Sequence, residues 1–133
     1  MKNSYCSKTE VNQLDWNRAW KNEDLVNYYR GLIALRMQMP GMQDKSEHAN
    51  QRVLWVKELA EDCVMACLDN KGGKWQQAIL IFNCSGRSGY AQLPAGTWQI
   101  LADGEDSFCW QQDSAVTEKI KVSQRSAMIL GLK

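Results

Sequence analysis

The chain lacks the features that mark several large classes of protein. Its 16 lysine and arginine residues nearly balance 15 aspartate and glutamate residues. The resulting net charge of +1 gives no electrostatic reason to expect nucleic acid or an anionic membrane surface as a partner. No apolar run approaches the ~20 residues that a membrane-spanning helix needs, and no apolar stretch typical of a secretory signal follows Met1. We therefore expect no nucleic acid and no membrane as partners.

Histidine is scarce, and the cysteines are not spaced in pairs. Five cysteines are an odd number, which favours free thiols in a reducing, cytoplasmic compartment over a disulfide scaffold. Cys63 and Cys67 lie roughly 13 Å apart if they share a strand, too far to bind one zinc ion. The single histidine, His48, has no evident serine or cysteine partner. The sequence therefore predicts no metal site, no cofactor and no nucleophilic catalytic pair, and it favours core packing for both cysteines.

Acidic residues are present, but they lie in predicted turns, loops and the start of a helix. Hydrolysis of a glycosidic bond needs two carboxylates held about 5 to 10 Å apart on a rigid scaffold. The run Asp103-Gly104-Glu105-Asp106 offers oxygen ligands for calcium, but it lacks the 12-residue loop signature, so a solvated loop is the favoured interpretation. We expect no catalytic residues in this chain.

A β-rich domain is predicted after residue 52. Ala78–Asn83 is the most continuous apolar run, too short for an independent helix and rich in β-branched residues, which is typical of a strand buried on both faces in the middle of a sheet. The turn Asn70-Lys71-Gly72-Gly73 precedes it. About seven short strands predict an antiparallel β-sandwich: 53–57, 62–68, 77–83, 86–93, 98–102, 119–122 and 127–130.

A single helix is predicted before the polar linker at 43–52. Asn22 is a suitable N-cap, Glu23 and Asp24 favour the helix dipole, and Pro40-Gly41 ends the helix. Its apolar face is broader than one stripe, so it needs neighbours on more than one side. An apolar patch without such a neighbour predicts self-association. Residues 3–21 form a polar segment that predicts a structured loop.

The six tryptophans fall into different environments. Trp55 and Trp98 lie in strand patterns and are predicted core residues. Trp75 and Trp110 lie in polar loops, where an exposed indole is a platform for a sugar ring, although a loop tryptophan also serves as a lid over a small core.

Four strings of residues occur in a fixed order near the N-terminus: Asn3-Ser4-Tyr5, Val11-Asn12-Gln13-Leu14-Asp15-Trp16, Tyr28-Tyr29-Arg30-Gly31-Leu32-Ile33-Ala34-Leu35-Arg36 and Met39-Pro40. They resemble the tail of type I pullulanases, debranching enzymes of the α-amylase superfamily, at the loop after the eighth barrel strand and the eighth barrel helix. Leu93-Pro94-Ala95-Gly96-Thr97-Trp98 and Ser126–Leu130 are similar to the C-terminal β-sandwich of that family. Two strings depart from the family pattern: Ser7-Lys8-Thr9 lacks an acid near the sugar cleft, and Met39–Gln43 alters the helix exit.

The resemblance implies a division of the chain into three parts. Residues 1–42 would be the last loop and helix of a truncated (β/α)8 barrel, 43–52 a linker, and 53–133 the β-sandwich. The catalytic acids of the family lie on earlier barrel strands, so the resemblance implies a non-catalytic C-terminal fragment that acts as a structural accessory to the barrel. The parent would hydrolyse α-1,6-glucosidic links. Asn12 and Asp15 would face outer sugar subsites if a barrel were present, or Asp15 would order the loop through backbone N–H groups.

Two alternatives remain open from the sequence. A stand-alone carbohydrate-binding module would bind α-glucans through Trp75 and Trp110. A purely structural interaction domain would bind no glucan and have no parent enzyme.

Overall fold

The computed structural model describes residues 15–133. It contains two helices, Asn17–Lys21 (α1) and Glu23–Met37 (α2), and short 3₁₀ turns at Pro40–Met42, Ala49–Arg52 and Cys109–Gln111. Seven strands follow in the described part of the chain: Val53–Ala60 (β1), Cys63–Asp69 (β2), Gln77–Asn83 (β3), Gly89–Gln92 (β4), Trp98–Ala102 (β5), Lys119–Val122 (β6) and Ser126–Leu132 (β7). The prediction of a mainly β, antiparallel sandwich of about seven strands is confirmed.

The strands form a five-stranded sheet in the order β1-β2-β3-β7-β5 and a two-stranded ribbon of β4 and β6. Every pairing is antiparallel. β3 is the central strand of the large sheet, as its apolar run predicts. Burial on both faces holds for most of β3 but is wrong at Phe82, whose side chain is 44% exposed on the outer face.

The inner face of the large sheet packs against the β4–β6 ribbon. Ile79 and Ile81 of β3 contribute to this core, and Ala91 and Val122 meet them from the ribbon. Trp98 is fully buried there, and Trp55 packs against the same core while partly exposed. Both tryptophans lie as their strand patterns predict. Cys63 and Cys67 also pack in this core, the latter fully buried.

The outer face of the large sheet packs against α2. Leu35 and Met39 are buried with Ala78, Leu101 and Trp75 in a second apolar cluster. The large sheet is therefore the middle layer of three, with the ribbon on one face and the helix on the other. The domain boundaries at 42 and 52 stay a prediction.

The start of α2 differs in detail from the sequence expectation. Asn22 precedes the helix, but its side chain makes no N-cap bond. Its Nδ2 instead donates a 2.8 Å hydrogen bond to the carbonyl oxygen of Arg18, one turn back. That bond satisfies the C-terminal end of α1, a helix the sequence analysis missed because its residues show no apolar periodicity.

The polar segment between α2 and β1 is held by ion pairs at its end. Arg52 Nε lies 2.9 Å from Asp44 Oδ2, and its Nη1 lies 3.4 Å from Asp69 Oδ2 at the end of β2. Among residues 15–133, neither helix is long and apolar enough to cross a bilayer.

Substituting Gly131 by alanine should destabilise the fold. A Cβ at this buried position of β7 would lie 2.5 Å from the Trp75 ring and 3.0 Å from Leu101 Cδ1, and overpacking of this kind costs roughly 1–3 kcal/mol. Urea unfolding followed by tryptophan fluorescence measures the change. Gly89→Ala is the matched control, because a Cβ in that strand meets nothing within 4 Å. Equal stability of the two variants would contradict this packing.

Asp44 should make stability depend on acidity. Hydrogen bonds from Ser46, and then from Arg52, lower the pKa of the Asp44 carboxyl from 3.8 to about 2. A lowered folded-state pKa stabilises the fold above the ordinary pKa, and this contribution is lost as the pH falls through about 2. The difference in urea midpoint between the natural chain and Asp44→Asn should therefore shrink from neutral pH to strong acid. A difference independent of pH would show that Asp44 makes no such contribution.

Candidate functional site

Trp75 and Trp110 are brought together at one end of the large sheet. Trp75 follows the glycine-containing turn after β2, where Gly72 adopts a positive φ of 90°. Trp110 lies in the 3₁₀ turn after β5. Both line an open depression of about 430 Å³, together with polar and charged side chains that include Lys74, Gln112 and Lys133.

Gln99 of β5 holds the two tryptophan loops in place. Its side-chain oxygen accepts a 2.9 Å hydrogen bond from Trp75 Nε1. Its amide nitrogen donates to the carbonyl oxygens of Trp110, at 3.2 Å, and Gln112, at 2.7 Å. The side chain is buried, so these bonds satisfy a polar group that would otherwise destabilise the fold.

The prediction that Trp75 presents an exposed indole is wrong. The residue is 1% exposed and belongs to the core cluster beneath α2, while the Lys74 ammonium lies 5.0 Å above the ring centroid. A small sheet gains apolar burial by drawing a loop indole inward, which is the lid role that the sequence analysis left open.

Trp110 is half-buried and packs against the same cluster. Its ring lies 6.3 Å from that of Phe108, centroid to centroid. Its Nε1 is buried and has no hydrogen-bond partner among the described residues. Trp110 therefore keeps some indole surface at the depression, whereas Trp75 has almost none.

The other two predicted sugar contacts are Asn12 and Asp15, of which the structure describes only Asp15. Asn12 is outside the described residues. Asp15 is exposed just before α1, where its Oδ1 accepts a 3.1 Å hydrogen bond from the backbone N–H of Asn17. Its Oδ2 lies 3.8 Å from Arg18 Nε. Asp15 thus orders the local backbone, which is the structural role that the sequence analysis set beside sugar binding.

The acidic loop after β5 binds its own backbone. The Asp103 Oδ1 accepts hydrogen bonds of 2.8 Å from the N–H groups of Glu105 and Asp106. The Tyr28 hydroxyl donates a 2.5 Å bond to the Asp103 carbonyl oxygen, which ties α2 to this loop. Burial, followed by the charge of Asp103, raises the pKa of Tyr28. Burial, with Asp103 and Asp106 nearby, raises the pKa of Cys109 to about 11, so its thiol stays protonated.

Metal ligands are not grouped in the part of the chain that the structure describes. Residues 15–133 hold no group of three or more histidine, cysteine, aspartate or glutamate side chains placed to bind an ion.

A larger cavity of about 680 Å³ lies where β1 turns into β2. Its buried polar residue, Asn83, is satisfied by Ser85 and by the carbonyl oxygens of Arg87 and Ser123. The Asn83 side chain therefore joins the loops around this cavity and leaves no buried polar group of its own unpaired.

The exposed face of α2 is the most unusual surface of the described chain. Leu25, Tyr29, Ile33 and Met37 recur every four residues and are 53%, 59%, 60% and 71% exposed. We call these four residues the helix stripe. Residues spaced by four lie on one side of a helix, so the stripe is a continuous apolar strip along the full length of α2. Trp16 and Trp20 add two further exposed indoles near its N-terminal end.

Two residues that organise this region were missed from the sequence. Gln99 is one. The other is Asn70, which is buried, donates 2.7 Å to the Trp75 carbonyl oxygen and accepts 2.9 Å from the Gly41 N–H. Asn70 opens a glycine-containing turn, which is the one local signal that marks it. Nothing in the sequence shows that its side chain meets the exit of α2, because Gly41 is 29 residues away.

Comparisons with known proteins find similarity to pullulanases and glycogen debranching enzymes. No protein-family model matches the chain. The pullulanase of Bacillus subtilis is 33% identical over 106 residues, covering 77% of this chain and 15% of that protein. The glycogen debranching enzyme of Pectobacterium carotovorum is 29% identical over 111 residues, covering 74% of this chain and 16% of that protein.

The fold agrees with that sequence similarity. The structure of the pullulanase from Bacillus acidopullulyticus superposes with a TM-score of 0.82 and 26% identity, covering 98% of this chain and 16% of that one. This chain spans about 15 to 16% of the length of the curated relatives it matches. By sequence and fold, the chain belongs with the pullulanases and glycogen debranching enzymes, of which it matches the C-terminal region.

Proposed function

We propose that this chain is the C-terminal, non-catalytic accessory part of a pullulanase-type debranching enzyme, and that the helix stripe binds the rest of that enzyme. The parent hydrolyses α-1,6-glucosidic links in α-glucans with carboxylates carried by its barrel. The sandwich stabilises the last barrel helix by covering its inner side. The observation that carries the proposal is the helix stripe on a segment that matches only the C-terminal region of its relatives.

The two sides of α2 support this assignment. Leu35 and Met39 are buried against the sheet, whereas Ile33 and Met37 lie in solvent. A surface helix of a one-domain protein carries polar residues on its outer face. Exposed apolar patches of this extent mark interaction surfaces, so α2 has the pattern of a helix packed between two layers, of which the described chain contains one.

Docking is tested with the Bacillus subtilis pullulanase from which the matched C-terminal region has been removed. This chain should bind the shortened enzyme, and Ile33→Lys should weaken binding at least tenfold, because it places a charge in an apolar contact. Binding is measured by calorimetry or by biolayer interferometry. Tyr90→Lys is the control, since Tyr90 is exposed on the ribbon. Absence of binding by the natural chain, or equal binding by the two variants, would overturn the proposal.

Without the rest of the enzyme, the helix stripe should drive self-association. Burying the four apolar side chains of the stripe against a second copy removes them from water. Sedimentation equilibrium should show a dimer of the natural chain at high concentration and a monomer of Ile33→Lys. A natural chain that remains monomeric at every concentration would contradict self-association without affecting docking.

A second candidate function is glucan binding at the depression beside Trp110. The observation that favours it is the partly exposed indole of Trp110 beside Lys74 and Gln112. A sugar ring would stack on this indole and hydrogen-bond to the polar side chains. Trp75 would act indirectly, by holding the loop through Gln99. Asn12 and Asp15 remain candidates for outer sugar subsites in the assembled enzyme.

Calorimetry of the isolated chain with maltooligosaccharides and a branched dextrin tests this second function. Saturable heat that is lost in Trp110→Ala, with Tyr90→Ala unchanged, would support a sugar site. Absence of binding heat at millimolar sugar would exclude a sugar site at the depression and would not affect the accessory role. Asp15→Asn is measured in the assembled enzyme, where a raised KM would support a subsite role.

A further inference from the structure

The cavity beside the β1–β2 turn lies where three connections of the sandwich meet. Its lining comes from that turn at 61–62, from the β3–β4 loop at 84–88 and from Arg125 in the β6–β7 turn. Its volume of about 680 Å³ falls within the usual range for small-molecule sites. Loops gathered on a rigid sandwich are a common place for binding residues, so we asked which ligand this lining suits.

Buried hydrogen bonds fix two of these connections relative to each other. The Asn83 side chain, 4% exposed, donates 2.9 Å bonds from Nδ2 to the carbonyl oxygens of Arg87 and Ser123. The Arg125 N–H donates a 3.1 Å bond to the carbonyl oxygen of Ser85. The backbones that carry Arg87 and Arg125 are therefore held in place before a ligand arrives, which lowers the entropic cost of binding.

The two arginines give the cavity its cationic groups. Arg87 and Arg125 are exposed, and neither has an ion pair within residues 15–133. Arg125 has a φ of 47°, a left-handed conformation that L residues rarely adopt and that clusters at ligand clamps. A guanidinium presents its N–H groups in a planar fork that matches the oxygens of a phosphate. Ser88 adds a hydroxyl donor to the same lining.

The β1–β2 turn adds two carboxylates, from Glu61 and Asp62. The turn is attached to the β3–β4 loop by a 2.8 Å bond from the Cys84 N–H to the Asp62 carbonyl oxygen. Both acids are exposed and have no ion pair in the described part of the chain. A carboxylate accepts hydrogen bonds from hydroxyl groups and repels an anion. The cavity therefore suits a ligand with an anionic group at one end and hydroxyl groups at the other.

We infer that this cavity binds a phosphorylated sugar, with the phosphate on Arg87 and Arg125 and sugar hydroxyls on Glu61 and Asp62. A phosphate monoester carries close to two negative charges at neutral pH and three acceptor oxygens, which matches two guanidinium groups. Neighbouring sugar hydroxyls match the two oxygens of a carboxylate. The ligand is a free sugar phosphate or a phosphate ester on a glucan chain, since both present these groups. The site shares no residue with the helix stripe or with the depression beside Trp110.

An NMR titration of the ¹⁵N-labelled chain, dilute enough to be monomeric, tests this site. Glucose 6-phosphate should shift the backbone amides of Gly86, Ser88 and Arg125 in a saturable way at millimolar concentration. Glucose and inorganic phosphate, at the same ionic strength, should each bind about tenfold more weakly or worse, because each lacks one of the two recognised groups. Equal affinity for either control would overturn the inference.

Substitutions separate the two halves of the site. Arg87→Gln and Arg125→Asn should each weaken binding of glucose 6-phosphate about tenfold or more, and asparagine tolerates the left-handed backbone at position 125. Asp62→Asn should narrow the preference for glucose 6-phosphate over inorganic phosphate, because it removes the charge that repels the anion. Lys119→Gln is the matched control, since it removes an exposed positive charge outside the cavity.

Titration with a phosphorylated dextrin distinguishes the two sources of the ligand. Tighter binding of the dextrin than of glucose 6-phosphate would assign the site to phosphate esters on glucan, and the reverse order would assign it to the free sugar phosphate. Absence of saturable shifts with both ligands would overturn the inference. The same holds if Arg87→Gln and Lys119→Gln bind equally well. Neither result would affect docking through the helix stripe.

Discussion

The structure depends on a sheet with two apolar faces. β3 carries Ile79 and Ile81 on one face and Ala78 and Leu80 on the other, so both faces of the sheet are apolar at its centre. An antiparallel sheet commonly buries one face and leaves the other in solvent. Here both faces must be buried, and the β4–β6 ribbon and α2 each cover one of them. The three-layer arrangement follows from that requirement.

The two covers differ in completeness. The ribbon and the strands beneath it bury Ala91, Ile120 and Val122 in a closed core. On the other side the Tyr28 hydroxyl of α2 donates to the Asp103 carbonyl oxygen, and the turn after α2 is held by the bond from the Gly41 N–H to Asn70. Yet its outer side carries the helix stripe in solvent, beside exposed Asn27 and Arg30, and Val56 and Phe82 of the sheet are exposed as well. A helix fixed so firmly with one apolar side in solvent has the arrangement expected of an internal layer of a larger protein.

This asymmetry explains why the sugar-binding hypothesis and the accessory hypothesis fare differently. A sugar platform needs a rigid indole with an exposed face. The Trp75 indole is instead buried in the core, and its N–H donates to Gln99. Trp75 therefore stabilises the fold and has no free face for a ligand. Trp110 alone keeps both a fixed position and some free surface. The apolar surfaces of α2 and the sheet, by contrast, are extensive and have no structural partner within residues 15–133.

Local sequence determined the elements whose signal is short-range. The strands at 77–83, 98–102 and 119–122 have the predicted bounds because alternation, β-branched residues and turn residues act within a few positions. The predicted end of the helix at Pro40-Gly41 lies a few residues beyond the observed end at Met37, because Pro40 begins a separate 3₁₀ turn. The resemblance to pullulanases was also readable from neighbouring residues. The tertiary structure alone decided which loop tryptophan turns inward, that Gln99 and Asn70 join loops distant in sequence, and that Val56 and Phe82 share an open face. Those outcomes depend on strand register and on contacts between residues dozens of positions apart, for which a single sequence carries no local physical signal.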